Sequence, residues 1–220
     1  MARETPPEPY GACHVTTLPD LSREAAIGPG VIGIDEVGRG PWAGPVVAAA
    51  VMLEGWLPEG VNDSKRLSLR RREGLYEAIM AQAVVGIGQA TVEEIEFHNI
   101  SRATTLAMLR AVEALPGRPA FALVDGNRVP AGLPCPAEAI VRGDALCASI
   151  AAASIIAKVT RDRAMAALAL QHPGYGWERN VGYGTAEHAA ALLELGVTAH
   201  HRRTFKPIHK MLYEESALTH

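Results

Sequence analysis

The sequence predicts an α/β protein built around one sheet of about five strands. Three observations lead there. Apolar runs of strand length open at Val31 and resume at Val46. Further runs of that kind are then interleaved with helix-length segments that carry capping signals. Several of the strand runs finish at or near acidic residues beside glycines.

The elements follow in order. Residues 1–29 hold Pro6, Pro7, Pro9 and Pro19 and show no clear period, so they read as a loosely ordered tail with one short helix over 21–26. The folded domain covers 30–220. Its first strand runs from Val31 towards Asp35, and its second covers 46–53. Ser68 caps a helix that runs to about Met80 with Leu75 and Ile79 facing inward. A third strand covers 83–90, and Thr91 with Glu94 forms a capping box for the next helix. A longer helix follows over 101–115, its apolar face made by Leu106, Leu109, Val112 and Leu115, before Pro116 and Gly117. Strand four is 120–124, ending in Asp125-Gly126-Asn127, and strand five is 137–141, ending at Arg142-Gly143-Asp144. The helix 148–170 is almost wholly apolar in its first half, which must be buried. A glycine-rich aromatic loop (173–185), a helix from Thr185 to Gly196 and a basic segment with His200, His201, Arg202, Arg203 and Lys206 complete the chain.

With 220 residues, 48% hydrophobic and 20% charged, the chain suits one soluble globular domain. A net charge of −3 excludes whole-protein attraction to nucleic acid, so such binding would rest on local basic patches. Cys13, Cys135 and Cys147 form no C-x-x-C pair and read as reduced thiols, not as a disulfide framework or zinc site. No signal-peptide core or membrane-length apolar run is present, so a cytoplasmic protein without membrane contact is expected.

Asp35 and Glu36 stand where the first strand meets a glycine-punctuated turn. They read either as turn acids or as a metal or catalytic site; Gly38-Arg39-Gly40 favours the second, because an arginine between bare backbones suits a phosphate. If the strand ends lie side by side, Asp35, Glu36, Asp125 and Asp144 converge at one sheet edge, where such folds place ligands. Like charges so close raise one another's pKa values unless cations sit among them. Oxygen-only donors favour Mg²⁺ or Mn²⁺, and two such ions suit phosphodiester hydrolysis. Adjacent strand side chains point to opposite faces, so Asp35 and Glu36 share a site only if the strand is irregular or one acts through its carbonyl.

A series of motifs runs along the chain, starting with Gly33-Ile34-Asp35-Glu36-Val37-Gly38-Arg39-Gly40-Pro41 and Asn62-Asp63-Ser64-Lys65-Arg66-Leu67-Ser68. It continues through Asn99-Ile100 with Ala103-Thr104, Val124-Asp125-Gly126-Asn127, Gly143-Asp144 and the run 152–162. It ends with Gly182-Tyr183-Gly184-Thr185 and His200-His201-Arg202-Arg203-Thr204-Phe205. The whole series, in this order, carries a resemblance to bacterial ribonuclease HII, the type 2 ribonucleases H. It implies a ribonuclease-H-like fold, a mixed sheet of about five strands flanked by helices with a small C-terminal helical segment. It also implies metal-dependent cutting of RNA in RNA–DNA hybrids and 5′ to single ribonucleotides in duplex DNA, leaving 5′-phosphate and 3′-hydroxyl. Carried over, Asp35, Glu36, Asp125 and Asp144 are the catalytic and metal-binding acids, with Mn²⁺ or Mg²⁺ as cofactor. Gly38, Arg39 and Gly40 match the ribonucleotide-sensing loop, and Tyr183 the tyrosine that packs on the junction sugar. Ser64 and Lys65 read as phosphate contacts. The apolar Ala145-Leu146-Cys147 departs from the pattern and leaves that loop's shape open.

Elsewhere the residues read as structural. Asp162 pairs on a helix surface with Lys158 or Arg163, Asp63 shapes its turn, and His200 and His201 lack metal-like spacing. Tyr175 and Trp177 pack the loop before Tyr183, while Arg70, Arg71 and Arg72 are either a solvated face or a nucleic-acid contact. A phosphotransfer enzyme acting on small esters and a non-catalytic nucleic-acid binder are the rival readings. The first needs no Arg39 or Tyr183 loop, and the second would not need all four acids. A monomer suffices, and a replication-clamp contact through the tail or 211–220 is left open.

Overall fold

The computed structural model describes residues 18–213, so the readings of Cys13, of the tail before residue 18 and of the last seven residues lie outside the described residues. The clamp contact considered for the two chain ends falls largely on those same stretches.

Five strands form one sheet: β1 (Val31–Val37), β2 (Val46–Met52), β3 (Val84–Ala90), β4 (Phe121–Asp125) and β5 (Ala137–Ile140), in the order β3-β2-β1-β4-β5. β1, β2 and β3 pair antiparallel, while β1, β4 and β5 run parallel, so the sheet is mixed. That parallel half decides where function can sit. The C-terminal ends of β1, β4 and β5 open at the same edge, and the acids that close those strands are brought together there.

Two helical layers cover the sheet. Ile32, Ile34, Ala122 and Val124 pack against Ala103, Ala107 and Ala111 of α4 (Ile100–Glu113). On the other face, Val47, Ala49 and Val51 meet the first half of α5 (Ala148–Gln171) and the inward residues Leu75 and Ile79 of α2 (Leu69–Gln82). The first half of α5 is buried on all sides as its composition requires, with Ala151, Ala152, Ala153 and Ile156 fully covered. Its approach to β1 is set by Gly33: a Cβ there would lie 2.1 Å from the Ser149 carbonyl carbon. The caps sit where the sequence places them. Ser68 accepts the Arg71 N–H, and Thr91 and Glu94 form a reciprocal box at the start of α3 (Val92–His98).

The segment before Val31 divides differently from the expected tail. A helix, α1 (Ser22–Ile27), lies where residues 21–26 predict one, but it is docked on the domain. Cys147 offers α5 no side-chain cap. Instead the Ala148 N–H donates to the Asp20 carbonyl at 2.9 Å, and buried Glu24 accepts from the Ser149 N–H at 2.9 Å and its hydroxyl at 2.6 Å. A carboxylate at the positive end of a buried helix is favourable, which explains why residues 18–29 belong to the folded body.

The C-terminal part builds a second small core. Trp177 and Tyr175 pack with Ala43, Met165, Leu192 and Ile208, joining α6 (Trp177–Asn180), α7 (Ala186–Leu195) and α8 (Lys206–Tyr213) to the end of α5. Both aromatic residues are buried, in keeping with their packing role. Among the described residues no helix is long and apolar enough to cross a membrane.

Gly33→Ala is expected to destabilise the protein by about 1–3 kcal/mol, because the added methyl must push α5 off β1. Thermal unfolding checks this; an unchanged melting temperature would show that the two elements are not in the close contact described.

Candidate active site at the strand ends

β1 stays in regular register with β2 through Glu36 and Val37, so alternation holds to its end. Asp35 therefore faces the α5 side and Glu36 the α4 side; the strand has no irregularity that would turn both carboxylates the same way. Glu36 borders a groove with Arg39, Thr104, Thr105 and Asp125. Asp125 is the neighbour common to the other acids, since its charge acts on Asp35, Glu36 and Asp144. Its Oδ1 also accepts the Gly143 N–H at 2.7 Å and the Asp144 N–H at 3.4 Å, tying the end of β4 to the turn after β5. That turn is a single 3-10 turn, Gly143–Ala145, entered through Arg142 in the left-handed conformation and closed by buried Cys147. Of the apolar residues after Asp144, Cys147 is buried against the core while Leu146 stays exposed.

Burial sets the electrostatics of the acids, and repulsion among them adds to it. Burial, then Glu36, Asp125 and Asp144, push the Asp35 carboxyl well above the usual carboxylate range. Burial also raises Glu36, against the opposing pull of Arg39, whose guanidinium lies 3.4 Å from Glu36 Oε1. Asp144 is raised by burial and by Asp63 and Asp125. Lys65 answers these charges: burial alone would lower its pKa, but Asp63, Asp35 and Asp144 leave it raised. The donors are oxygens only, which fits a hard divalent cation, and the buried like charges give such a cation its binding energy. Among the described residues no three acidic, histidine or cysteine side chains already stand as a preformed metal cage.

The loop from Gly38 to Pro45 flanks the acids. Gly38 has φ +94°, and a Cβ there would strike Arg161 at 2.2 Å, so both conformation and space require glycine. Two buried arginines hold the loop by its carbonyls. Arg161 donates to Pro45 O at 2.9 Å, Ala43 O at 3.0 Å and Val181 O at 2.9 Å. Arg202 donates to Gly38 O at 2.6 Å, Arg39 O at 3.0 Å and Gly44 O at 2.7 Å. The Arg39 side chain remains exposed. A Cβ on Gly40 would lie 3.5 Å from the Tyr183 ring, so the half-exposed tyrosine packs over a bare backbone.

The other sequence readings resolve as follows. Ser64 is buried, donating its N–H to Ser154 Oγ at 3.3 Å, so it anchors the turn while Lys65 faces the acids. Asp63 accepts the Lys65 N–H at 2.9 Å, as a turn-shaping residue should. Asp162 pairs with Lys158 at 2.7 Å. Arg72 donates to the Ser64 carbonyl at 2.7 Å, whereas Arg70 is exposed. Arg161 and Arg202 are the residues that sequence reasoning missed as site-building groups. Arg161 had a signal: it lies four residues from Ala157 and from Met165, on the buried face of α5. Arg202 stands in the motif His200 to Phe205 that carries the resemblance, but nothing there separates it from Arg203 as the buried cation.

Comparison with known proteins points to one family. The family model described as "Ribonuclease HII" matches residues 32–214. The chain is 60% identical over 210 residues to ribonuclease HII of Ruegeria pomeroyi, covering 93% of this chain and 90% of that protein. The ribonuclease H2 structure from Pyrococcus horikoshii superposes with a TM-score of 0.72 at 28% identity, covering 86% of this chain and 99% of that one. A Bst ribonuclease HIII structure in complex with Mn²⁺ shares the fold, with a TM-score of 0.62 at 22% identity over 86% of this chain and 71% of that one.

The raised Asp35 pKa makes a signed prediction. In the cation-free protein the folded state holds this proton more tightly than the unfolded state, so the group's contribution to stability falls as pH rises above about 4. Asp35→Asn removes that penalty and should raise the melting temperature in chelator, more at about pH 8 than at about pH 5. A gain of about 1 kcal/mol would appear as roughly 2–4 °C. No gain at either pH would mean that Asp35 is not held among uncompensated acids.

Proposed function

Because the chain belongs to the ribonuclease HII family, endonucleases that act on the RNA of RNA–DNA hybrids, we propose that it also nicks duplex DNA on the 5′ side of a single embedded ribonucleotide. The products would carry a 5′-phosphate and a 3′-hydroxyl. One observation carries this reading: the acids at the ends of β1 and β4 and after β5 share a sheet edge with the Gly40–Tyr183 contact. A reacting phosphate and the sugar beside it therefore have adjoining places.

Asp35, Glu36, Asp125 and Asp144 would hold divalent cations, Mg²⁺ or Mn²⁺, which supply an activated water and stabilise the departing 3′-oxygen when bound. The chain's own residues do the rest. Lys65, with its charge held on by Asp63, Asp35 and Asp144, offsets phosphate charge at the rim. Arg39 reaches from a loop whose glycines let a substrate meet the backbone directly, which is how a 2′-hydroxyl can be read without an intervening side chain. Tyr183 offers a flat ring for the sugar at the junction between ribose and deoxyribose. Arg161 and Arg202 keep that loop in place, with the exposed Arg39 side chain beside Glu36 at the edge of the acids.

The test is a labelled DNA duplex with one ribonucleotide, incubated with Mg²⁺, Mn²⁺ or chelator. The expected result is a cation-dependent nick immediately 5′ to the ribonucleotide, absent from an all-DNA control and reduced at least ~100-fold in Asp125→Asn. Cutting of long RNA–DNA hybrids without that nick would leave the family's activity and reject the single-ribonucleotide reading.

Arg39→Ala should lower cutting at the lone ribonucleotide more than cutting of a long hybrid, by the ~1.5–3 kcal/mol of a charged hydrogen bond, about tenfold or more. Equal losses on both substrates would remove its recognition role.

A further inference from the structure

Behind Tyr183 lies a chain of buried hydrogen bonds whose protons can all be assigned. The Thr198 N–H donates to His201 Nδ1 at 3.0 Å, so that nitrogen is a bare acceptor. Neutral His201 then carries its proton on Nε2, which faces His188 Nε2 at 3.0 Å. His188 Nε2 also receives the Trp177 indole N–H at 3.2 Å, a group that can only donate. With two donors aimed at Nε2, the His188 proton must sit on Nδ1, and it donates to the Tyr183 carbonyl at 2.9 Å.

The other side of the same residue is held as well. The Tyr183 N–H donates to the Asn180 carbonyl at 2.9 Å, and the Asn180 side chain ties Gly182 to Tyr175. Gly184 lies flat against Trp42. The Tyr183 backbone is therefore gripped at both polar atoms, its carbonyl shared between His188 and the Thr185 N–H at 2.9 Å, while its ring projects towards Gly40.

We infer that His188 is a positioning residue for Tyr183, with Trp177 and His201 selecting the one imidazole tautomer that can hold the tyrosine carbonyl. The inference rests on the reading of Tyr183 as the platform for the junction sugar. A second proton on His188 would confront two donors, and burial lowers the pKa of both histidines, His201 to about 3. The pair stays neutral at physiological pH, so the grip on Tyr183 does not loosen there.

The amide nitrogen of asparagine can stand near the position of Nδ1, and that of glutamine near Nε2. His188→Asn keeps the donor to Tyr183; His188→Gln loses it. On the single-ribonucleotide duplex, His188→Gln should lower kcat/KM about tenfold, the size of one lost aromatic contact, with His188→Asn within about threefold of wild type. In a Tyr183→Ala background the two substitutions should make no further difference. A merely structural role would instead make both variants lose activity in step with melting temperature and keep that loss in the Tyr183→Ala background; either result overturns the inference. A readout without substrate separates this from the proposed function: fluorotyrosine at position 183 should give the wild-type fluorine NMR resonance in His188→Asn and a shifted or broadened one in His188→Gln. If wild type fails to nick at a lone ribonucleotide, the functional reading falls while this spectrum still decides the positioning role. Identical spectra in all three proteins would end it.

Discussion

The burial of two guanidinium groups against main-chain carbonyls is the interaction on which the site depends. The loop 38–45 turns several carbonyls inward beside a row of carboxylates, where each unmet acceptor would cost about 1–3 kcal/mol. Arg161 and Arg202 are fully buried, and each of their hydrogen bonds goes to a carbonyl. Burial lowers Arg161 to about 10 and Arg202 to about 9, so both remain charged at neutral pH. A carboxylate partner would have consumed that charge. Carbonyl partners leave it in place behind the loop.

The same economy governs the acids. Asp35, Glu36 and Asp144 are each held at raised pKa by burial, with mutual repulsion adding to it. Asp125 meets backbone N–H groups of the turn after β5, which ties two strand ends together without using a cation. Lys65 and Arg39 lie on different sides of the cluster, one from the turn before α2 and one from the loop after β1. Stability is thereby exchanged for a site in which charge is pre-arranged and costs little reorganisation when a charged ligand arrives.

Packing connects these local facts. α5 approaches β1 at Gly33, carries Arg161 to the loop one element away, and has its N-terminus satisfied by Asp20 and Glu24 from residues before the sheet. The small core around Trp177 and Ile208 stands beside Tyr183 and Arg202, which meet the same loop at Gly40 and Gly38. A shift of α5 would thus reach the acids, the loop and the tyrosine together.

The sequence by itself determined the five strands, their caps and the positions of the acids, because periodicity, capping residues and strand-ending acids are local signals. The resemblance of Gly33 to Pro41 and of the later motifs further pointed to the family and to Tyr183. Tertiary structure alone decided which cations are buried: Arg202 and Arg203 are neighbours in one basic segment, yet only the first is enclosed. It also decided that Asp35 and Glu36 occupy opposite faces of a regular strand, and that residues 18–29 cap α5 from a distance. Hydrogen bonds between residues more than a hundred positions apart, such as Glu24 to Ser149 and Arg202 to Gly38, leave no periodic trace. Their partners are main-chain groups that every residue carries, so only the folded chain selects them.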